Sequence, residues 1–423
     1  MRTKNRANPT KTIHRHILLI TSVINLFFIN QSSFSENWSQ FRGLYRNAWS
    51  SENKLLRTWP EEGPPLRWTA RGLGLGYSSA IIVDGTVYVS GLRSETEEGY
   101  VTALDQSGEI QWATPYGKEW TGTHPGTRYP PTIDGGQLFL LSGHGVLYTL
   151  NAKTGARGWH RDVATDFGGT APVMGFAESL LVDGDLVYCT PGGPDASIVA
   201  LDRKTGKTRW TSVGHSDQSA YCAPQLITRG DTRLLVTLTN ATLIALDPAT
   251  GTIIWKVPFD EAEEMQNHSI APIYHEGLLY ATSGHRKGGI LYGLSADGRD
   301  IEPRWSDAIL SPNHGGLVCD GNSLYGENSK GRWSCLSLTD GSLQWQERGV
   351  GKGSVIYADE RLYCYGEKGS LELIEATASG YVAHGTMKIE SGDGPHWAHP
   401  SIADRTLYLR HGDVIVAYDI SAP

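Results

Sequence analysis

Short apolar runs punctuated by Gly-containing turns fill this chain from about residue 65 to its end, and no part of that stretch holds apolar residues at a sustained helical period. One type of run reads Thr86-Val87-Tyr88-Val89, Gln137-Leu138-Phe139-Leu140, Asp185-Leu186-Val187-Tyr188, Leu278-Leu279-Tyr280 and Arg361-Leu362-Tyr363. Turns such as Asp84-Gly85, Asp134-Gly135, Asp183-Gly184 and Asp320-Gly321 come before runs of this type, as hairpins needing positive φ require. Apolar, β-branched content suits half-buried sheet. Strands are the expected elements, and the class is all-β.

A second type of run ends in Leu-Asp or a near relative, passes a turn built on Gly and reaches Trp. The copies are Ala103-Leu104-Asp105 to Trp112, Thr149-Leu150-Asn151 to Trp159, Ala200-Leu201-Asp202 to Trp210 and Ala245-Leu246-Asp247 to Trp255. They continue as Gly293-Leu294-Ser295 to Trp305, Ser337-Leu338-Thr339 to Trp345, Ile374-Glu375-Ala376 to His384, and Ala417-Tyr418-Asp419. Recurrence at roughly 40 to 50 residues marks a repeat architecture, and four short strands per repeat predict a β-propeller of four-stranded antiparallel blades. The last copy stops before its Trp, whereas Pro65-Leu66-Arg67-Trp68 has no repeat of its own. Supplying that segment as the outer strand of the last blade closes a ring of eight and leaves no open sheet edge. Trp68, Trp112, Trp159, Trp210, Trp255, Trp305 and Trp345 are then structural wedges between blades. The Asp of each Leu-Asp is a turn acceptor, and His384 marks a degenerate copy.

The 50 Gly, 20 Pro and 13 Trp among 423 residues agree with a turn-rich ring anchored by aromatics. A net charge of −8 argues against nucleic acid as a partner. Arg2, Lys4, Arg6, Lys11 and Arg15 precede an apolar run from Ile17 to Ile29, with Ser33 and Ser35 beyond it, the layout of a secretory signal peptide. The expected organisation is residues 1–35 as signal peptide, 36–64 as an extension packing on the propeller, and 65–423 as the propeller. The first cysteine is Cys189, so no lipid acceptor follows the leader; a periplasmic or secreted monomer, not membrane-anchored after cleavage, is expected. Cys189, Cys222, Cys319, Cys335 and Cys364 lack C-x-x-C spacing and read as ordinary thiols.

The motif Ala-Leu-Asp-x-x-Thr-Gly-x-x-x-Trp, from Ala200 to Trp210 and nearly again from Ala245 to Trp255, resembles the repeat of the pyrroloquinoline-quinone (PQQ) quinoprotein superfamily. Trp38-Ser39-Gln40-Phe41-Arg42-Gly43, Trp59-Pro60 and Pro65-Leu66-Arg67-Trp68 resemble secreted PQQ-like repeat proteins. The resemblance implies the propeller fold. It leaves two activities open, since the same ring serves PQQ-dependent dehydrogenases acting on alcohols or sugars and non-enzymatic scaffolds of the BamB outer-membrane assembly type. Such dehydrogenases carry adjacent cysteines and a Glu-Asn-Asp calcium site. This chain has no Cys-Cys pair and no such set assignable by motif, so PQQ with calcium stays a secondary expectation and no catalytic residue is carried over.

Function is therefore sought where the repeats differ, in the loops at one end of the channel. These hold His124, His144, His215, His268, His285, His314, His396 and His411. The position before each inner strand, expected to face the channel mouth, is taken by Tyr77, Arg128-Tyr129, Glu178, Tyr221-Cys222, Asn267-His268, Asn313-His314, Lys352 and His396-Trp397. Rings to stack on and convergent polar groups suit a small polar ligand. His268, His314 and His396 are the candidates for a metal site. Acidic loops at 94–99 (Glu95, Glu97, Glu98) and 259–265 (Asp260, Glu261, Glu263, Glu264) offer a docking face for a protein partner. The reading is a binding or scaffold protein rather than an enzyme.

Overall fold

The computed structural model describes residues 1, 37–259, 268–284 and 287–423. Residues 2–35 of the expected leader, residue 36, the acidic run from Asp260 to Met265, Asn267 and His285 lie outside them. Among the described residues the chain folds into an eight-bladed propeller of four-stranded blades, each antiparallel throughout. Blade three, for example, runs Leu181–Asp183, Leu186–Cys189, Val199–Asp202 and Thr208–Thr211 in spatial order. The departure from strand is one short helix, Val163–Phe167, whose N-terminus Asp162 caps by accepting from the Thr165 N–H.

Turn chemistry sets the hairpins. Asp84 and Gly85 both take positive φ, 49° and 77°, as a tight two-residue connection demands. After the third strand Asp202 Oδ1 accepts from the N–H groups of Lys204 and Thr205 at 3.1 and 3.0 Å, and Asp247 does the same for Ala249 and Thr250.

The core lies between blades. Tyr188, Ala200 and Trp210 stand abreast on neighbouring strands, and because Ala is small the two rings meet across it with centroids 5.9 Å apart. The Trp210 indole N–H donates to the Pro248 carbonyl of blade four at 3.0 Å. Its face lies on Gly251, where an added Cβ would stand 2.4 Å from the ring. Trp159, Trp255, Trp305 and Trp345 donate in the same way to the Arg203, Gly298, Leu338 and Thr377 carbonyls. Burying each indole contributes on the order of a few kcal/mol. The ring closes as expected: Leu66–Ala70 pairs antiparallel with Val414–Asp419, Trp68 opposite Ala417, and the Trp68 indole donates to Gln106 of blade one at 2.8 Å.

Blade seven departs from the sequence reading. Its register puts Gly385, not His384, opposite Leu373 at the Trp position. Trp59 from the N-terminal segment lies over that glycine and faces Tyr363 at 6.0 Å, the spacing the other blades give their own Tyr–Trp pairs. His384 instead approaches Glu375 at 3.3 Å, and its carbonyl accepts from the Trp59 N–H.

Residues 37–50 form a thread laid across the inner ends of six blades. Trp38 bridges to Ile82, Ser39 accepts from Ile133 N–H, and Arg46 donates to the Ser179 and Leu180 carbonyls. Gln225 donates to Arg46, Arg42 donates to Leu317, and Trp49–Ser50 adds in parallel to the inner strand Gly353–Ala358. Cys189, Cys335 and Cys364 are buried in strands and Cys222 is buried just before one; Cys319 is partly exposed. Among the described residues no helix is long and apolar enough to cross a membrane.

Candidate ligand site at the channel mouth

All eight blades deliver a residue to one cavity of about 370 Å³, and each does so from the chain just before its inner strand. The contributors are Tyr77, Arg128 with Tyr129, Ala177, Tyr221, Ser269, Asn313 with His314, Lys352, and Trp397 with His399. Phe41 of the thread joins the lining and meets Tyr129 and His399 edge-on at 4.6 and 4.8 Å.

Of the positions singled out in the sequence, Tyr77, Arg128, Tyr129, Tyr221, Asn313, His314, Lys352 and Trp397 line the cavity, as does His124 of the loops, while Cys222 beside Tyr221 does not. Three others turn away, each beside a neighbour that faces inward, because successive side chains of extended chain point to opposite sides. Glu178 stands next to Ala177 and accepts from the Thr190 N–H at 2.9 Å. His268 stands next to Ser269, with Nδ1 2.9 Å from Ser283 Oγ and Nε2 2.8 Å from the Asn240 carbonyl. His396 stands next to Trp397, bonded to the Tyr365 hydroxyl and stacked on His411 at 3.5 Å. His268, His314 and His396 are thus not brought together, and among the described residues no group of three His, Cys, Asp or Glu is placed to hold a metal. Phe41, Arg42, Arg46, Glu367 and His399 were missed. The first three sit in the Trp38 to Gly43 motif or just after it, a segment whose path no strand pattern reveals.

Trp397 is the hub of the wall, with Tyr77 at 5.0 Å, His124 at 4.8 Å and His314 at 5.6 Å between ring centroids. Arg128 lies over the Tyr77 ring at 5.7 Å and donates to the Thr123 carbonyl at 2.6 Å. Burial, reinforced by Lys352, lowers His314 to about 4; burial and then Arg42 lower His399 to about 3. Both rings are neutral at pH 7. Burial also raises Glu178 to about 8, against the pull of its Thr190 bonds and Arg46. Four buried polar atoms here have no hydrogen-bond partner: Arg128 Nε, His314 Nε2, Trp397 Nε1 and His399 Nδ1. Leaving a buried polar group unpaired costs about 1–3 kcal/mol, so such a cluster in a cavity wall marks a place where something else supplies the partners. Arg128 Nε and Trp397 Nε1 are N–H donors, whereas His399, whose Nε2 donates to the His314 carbonyl at 2.8 Å, keeps Nδ1 as an acceptor; flat walls and the two uncommitted donors together suit a ring-bearing molecule rich in acceptors.

Residues 97–347, more than half of the chain, match the family of the outer membrane protein assembly factor BamB, built on PQQ-type repeats. The chain belongs to it. Within this PQQ-like propeller family it is 32% identical over 162 residues to the polyvinylalcohol dehydrogenase of Sphingopyxis sp., a match covering 33% of this chain and 23% of that protein. It is 27% identical over 121 residues to BamB of Alkalilimnicola ehrlichii, covering 27% of this chain and 30% of the relative. These matches span less than a third of either relative's length. In three dimensions BamB from Moraxella catarrhalis superposes with a TM-score of 0.62 at 17% identity, covering 84% of this chain and 99% of that one. The quinohemoprotein alcohol dehydrogenase of Comamonas testosteroni gives 0.66 at 13% identity, covering 92% and 81%. At such identities the likeness is one of fold.

Proposed function

We propose that this propeller is an exported binding protein that holds a small, ring-bearing polar ligand at the channel mouth. One observation carries the reading: eight blades and the thread converge on a single aromatic-walled cavity whose wall keeps unpartnered N–H groups. Aromatic faces give the ligand stacking area, and the Arg128, His314 and Trp397 nitrogens give it hydrogen bonds the protein does not make by itself.

The second reading, a PQQ-dependent oxidoreductase, draws on the similarity to polyvinylalcohol dehydrogenase. The stacked walls and cations fit a planar quinone bearing carboxylates. The calcium that accompanies it does not fit, because Ca²⁺ asks for six to eight oxygen ligands and Glu367 is the one carboxylate of the lining among the described residues. No redox step is derived through that group.

Melting temperature and quinone absorbance, read with PQQ, calcium and a panel of aromatic polar ligands against the protein and its Trp397→Ala variant, test both. A ligand at a hundred times its dissociation constant adds about 2.7 kcal/mol. A ligand-induced rise lost in the variant supports the binding reading. PQQ-dependent dye reduction moves the balance to the enzyme. Stabilisation that survives Trp397→Ala, or none across the panel, overturns the pocket and directs the search to protein partners, including those that would dock by strand addition to a blade edge.

A further inference from the structure

The charge of the cavity follows from residues the repeat pattern does not contain. Arg42 and Arg46 of the thread are buried behind the lining, 2% and 3% exposed, within electrostatic reach of Tyr129, and Arg128 and Lys352 stand in the wall. The arginines are hydrogen-bonded, but to neutral groups: Arg42 to the Leu317 carbonyl, Arg46 to the Leu180 carbonyl at 3.0 Å and Gln40 Oε1 at 2.8 Å, Arg128 to the Thr123 and Met174 carbonyls. Carbonyl partners solvate a guanidinium without cancelling its charge. Among the described residues none of the four cations forms an ion pair.

The opposing carboxyls are few. Glu367 lines the cavity; Glu119, which acts on Arg128, and Glu178 and Glu327 are buried behind it, and burial raises all three, Glu178 to about 8. Glu178 is largely protonated at pH 7, and burial favours the neutral form of the others as well. The reach of the cations is visible in their neighbours: Arg42 acts on His399 and Tyr129, Arg46 on Glu178 and Tyr129, and Lys352 on His314. A positive interior is thus set in a chain whose net charge is −8. Low-dielectric walls focus such a field on whatever enters.

We infer that the channel mouth is an anion site, and that its ligand is an aromatic carboxylate or a comparable ring-bearing organic anion drawn in by Arg42, Arg46 and Arg128 and met in the wall by Lys352. The ring lies among Tyr77, Tyr129 and Trp397, and the charged end accepts from Arg128 Nε and Trp397 Nε1, which otherwise have no partner. This rests on the binding reading above and adds the charge of the ligand.

Calorimetry with 2-naphthoate and its neutral counterpart 2-naphthalenemethanol, on the protein and on Lys352→Gln and Arg128→Gln, separates the two. The expected result is at least tenfold tighter binding of naphthoate, with that preference over the alcohol reduced severalfold in each folded variant. Equal affinity for the two probes, or a preference for the alcohol, overturns the anion assignment and leaves the pocket standing. Binding of neither overturns the pocket as well. The comparison of probes on the unaltered protein decides the matter even where a variant fails to fold, which circular dichroism reports.

Discussion

At the scale of single residues, buried titratable groups give the most direct expectations. Glu178 has a folded value of about 8, whereas an unfolded glutamate titrates at about 4.3. Between those values the native state keeps a proton the unfolded chain has lost, so stability falls as pH rises through the window and levels off above it. His314 and His399 act with the opposite sign. Their folded values of about 4 and 3 mean that protons bind the unfolded chain first, so stability is lost as pH falls below the ordinary histidine range. At pH 6.5 an unfolded histidine is still about half protonated, so His314, His399 and the similarly lowered His396 add stability as pH rises to 8, and Glu178 is isolated by difference against its variant. Urea unfolding at pH 6.5 and 8 is expected to show a loss of about 2 kcal/mol attributable to this group, absent in Glu178→Gln. A decline that persists in the variant assigns it elsewhere. None of this was legible in the sequence. The series of positions before each inner strand was visible, but which of two adjacent residues faces the cavity turns on a period-two alternation, and Glu178, His268 and His396 lie one residue off it.

At the scale of elements, the docking unit is a strand end, a turn and the ring between them. Gly251 sits at φ 74° with the Trp210 indole where a Cβ would go. Gly251→Ala combines backbone strain with overpacking and is expected to cost about 2–4 kcal/mol by chemical denaturation. Trp59→Ala tests the supplied wedge of blade seven: a residue 5% exposed whose loss is expected to cost about 3–5 kcal/mol. A change under about 0.5 kcal/mol would show that Trp59 only covers the blade. Strand content, hairpin turns and seven of the wedges were readable because each repeat solves the same packing problem with the same residues. Blade seven was not, because Trp59 lies more than 300 residues away along the chain from the Gly385 it covers, and the bulge beside Leu373 shifts the register by which His384 was aligned.

At the scale of the whole molecule, closure and count were legible from the unfinished last repeat and the spare Trp68. The route of residues 37–50 was not, for no periodicity records a segment that pairs with six different blades. A protease site placed among the exposed residues Glu61 and Glu62 tests how firmly that segment is held. After cleavage the N-terminal piece is expected to co-elute with the ring on gel filtration under native conditions and to separate in urea. Release without denaturant would mean that the contacts of Arg42 and Arg46 contribute little. The same thread has a consequence for how the molecule is made. Its partners run from Ile82 for Trp38 to Leu317 for Arg42, 275 positions away along the chain, and the inner strand Gly353–Ala358 for Trp49–Ser50, and the strand Leu66–Ala70 that follows it waits for the last strand of all. The first segment of the ring therefore cannot find its place until nearly the whole polypeptide exists, so assembly is slow. In the finished molecule, opening a seam between two blades that the spindle crosses costs its contacts as well as those of the blades themselves.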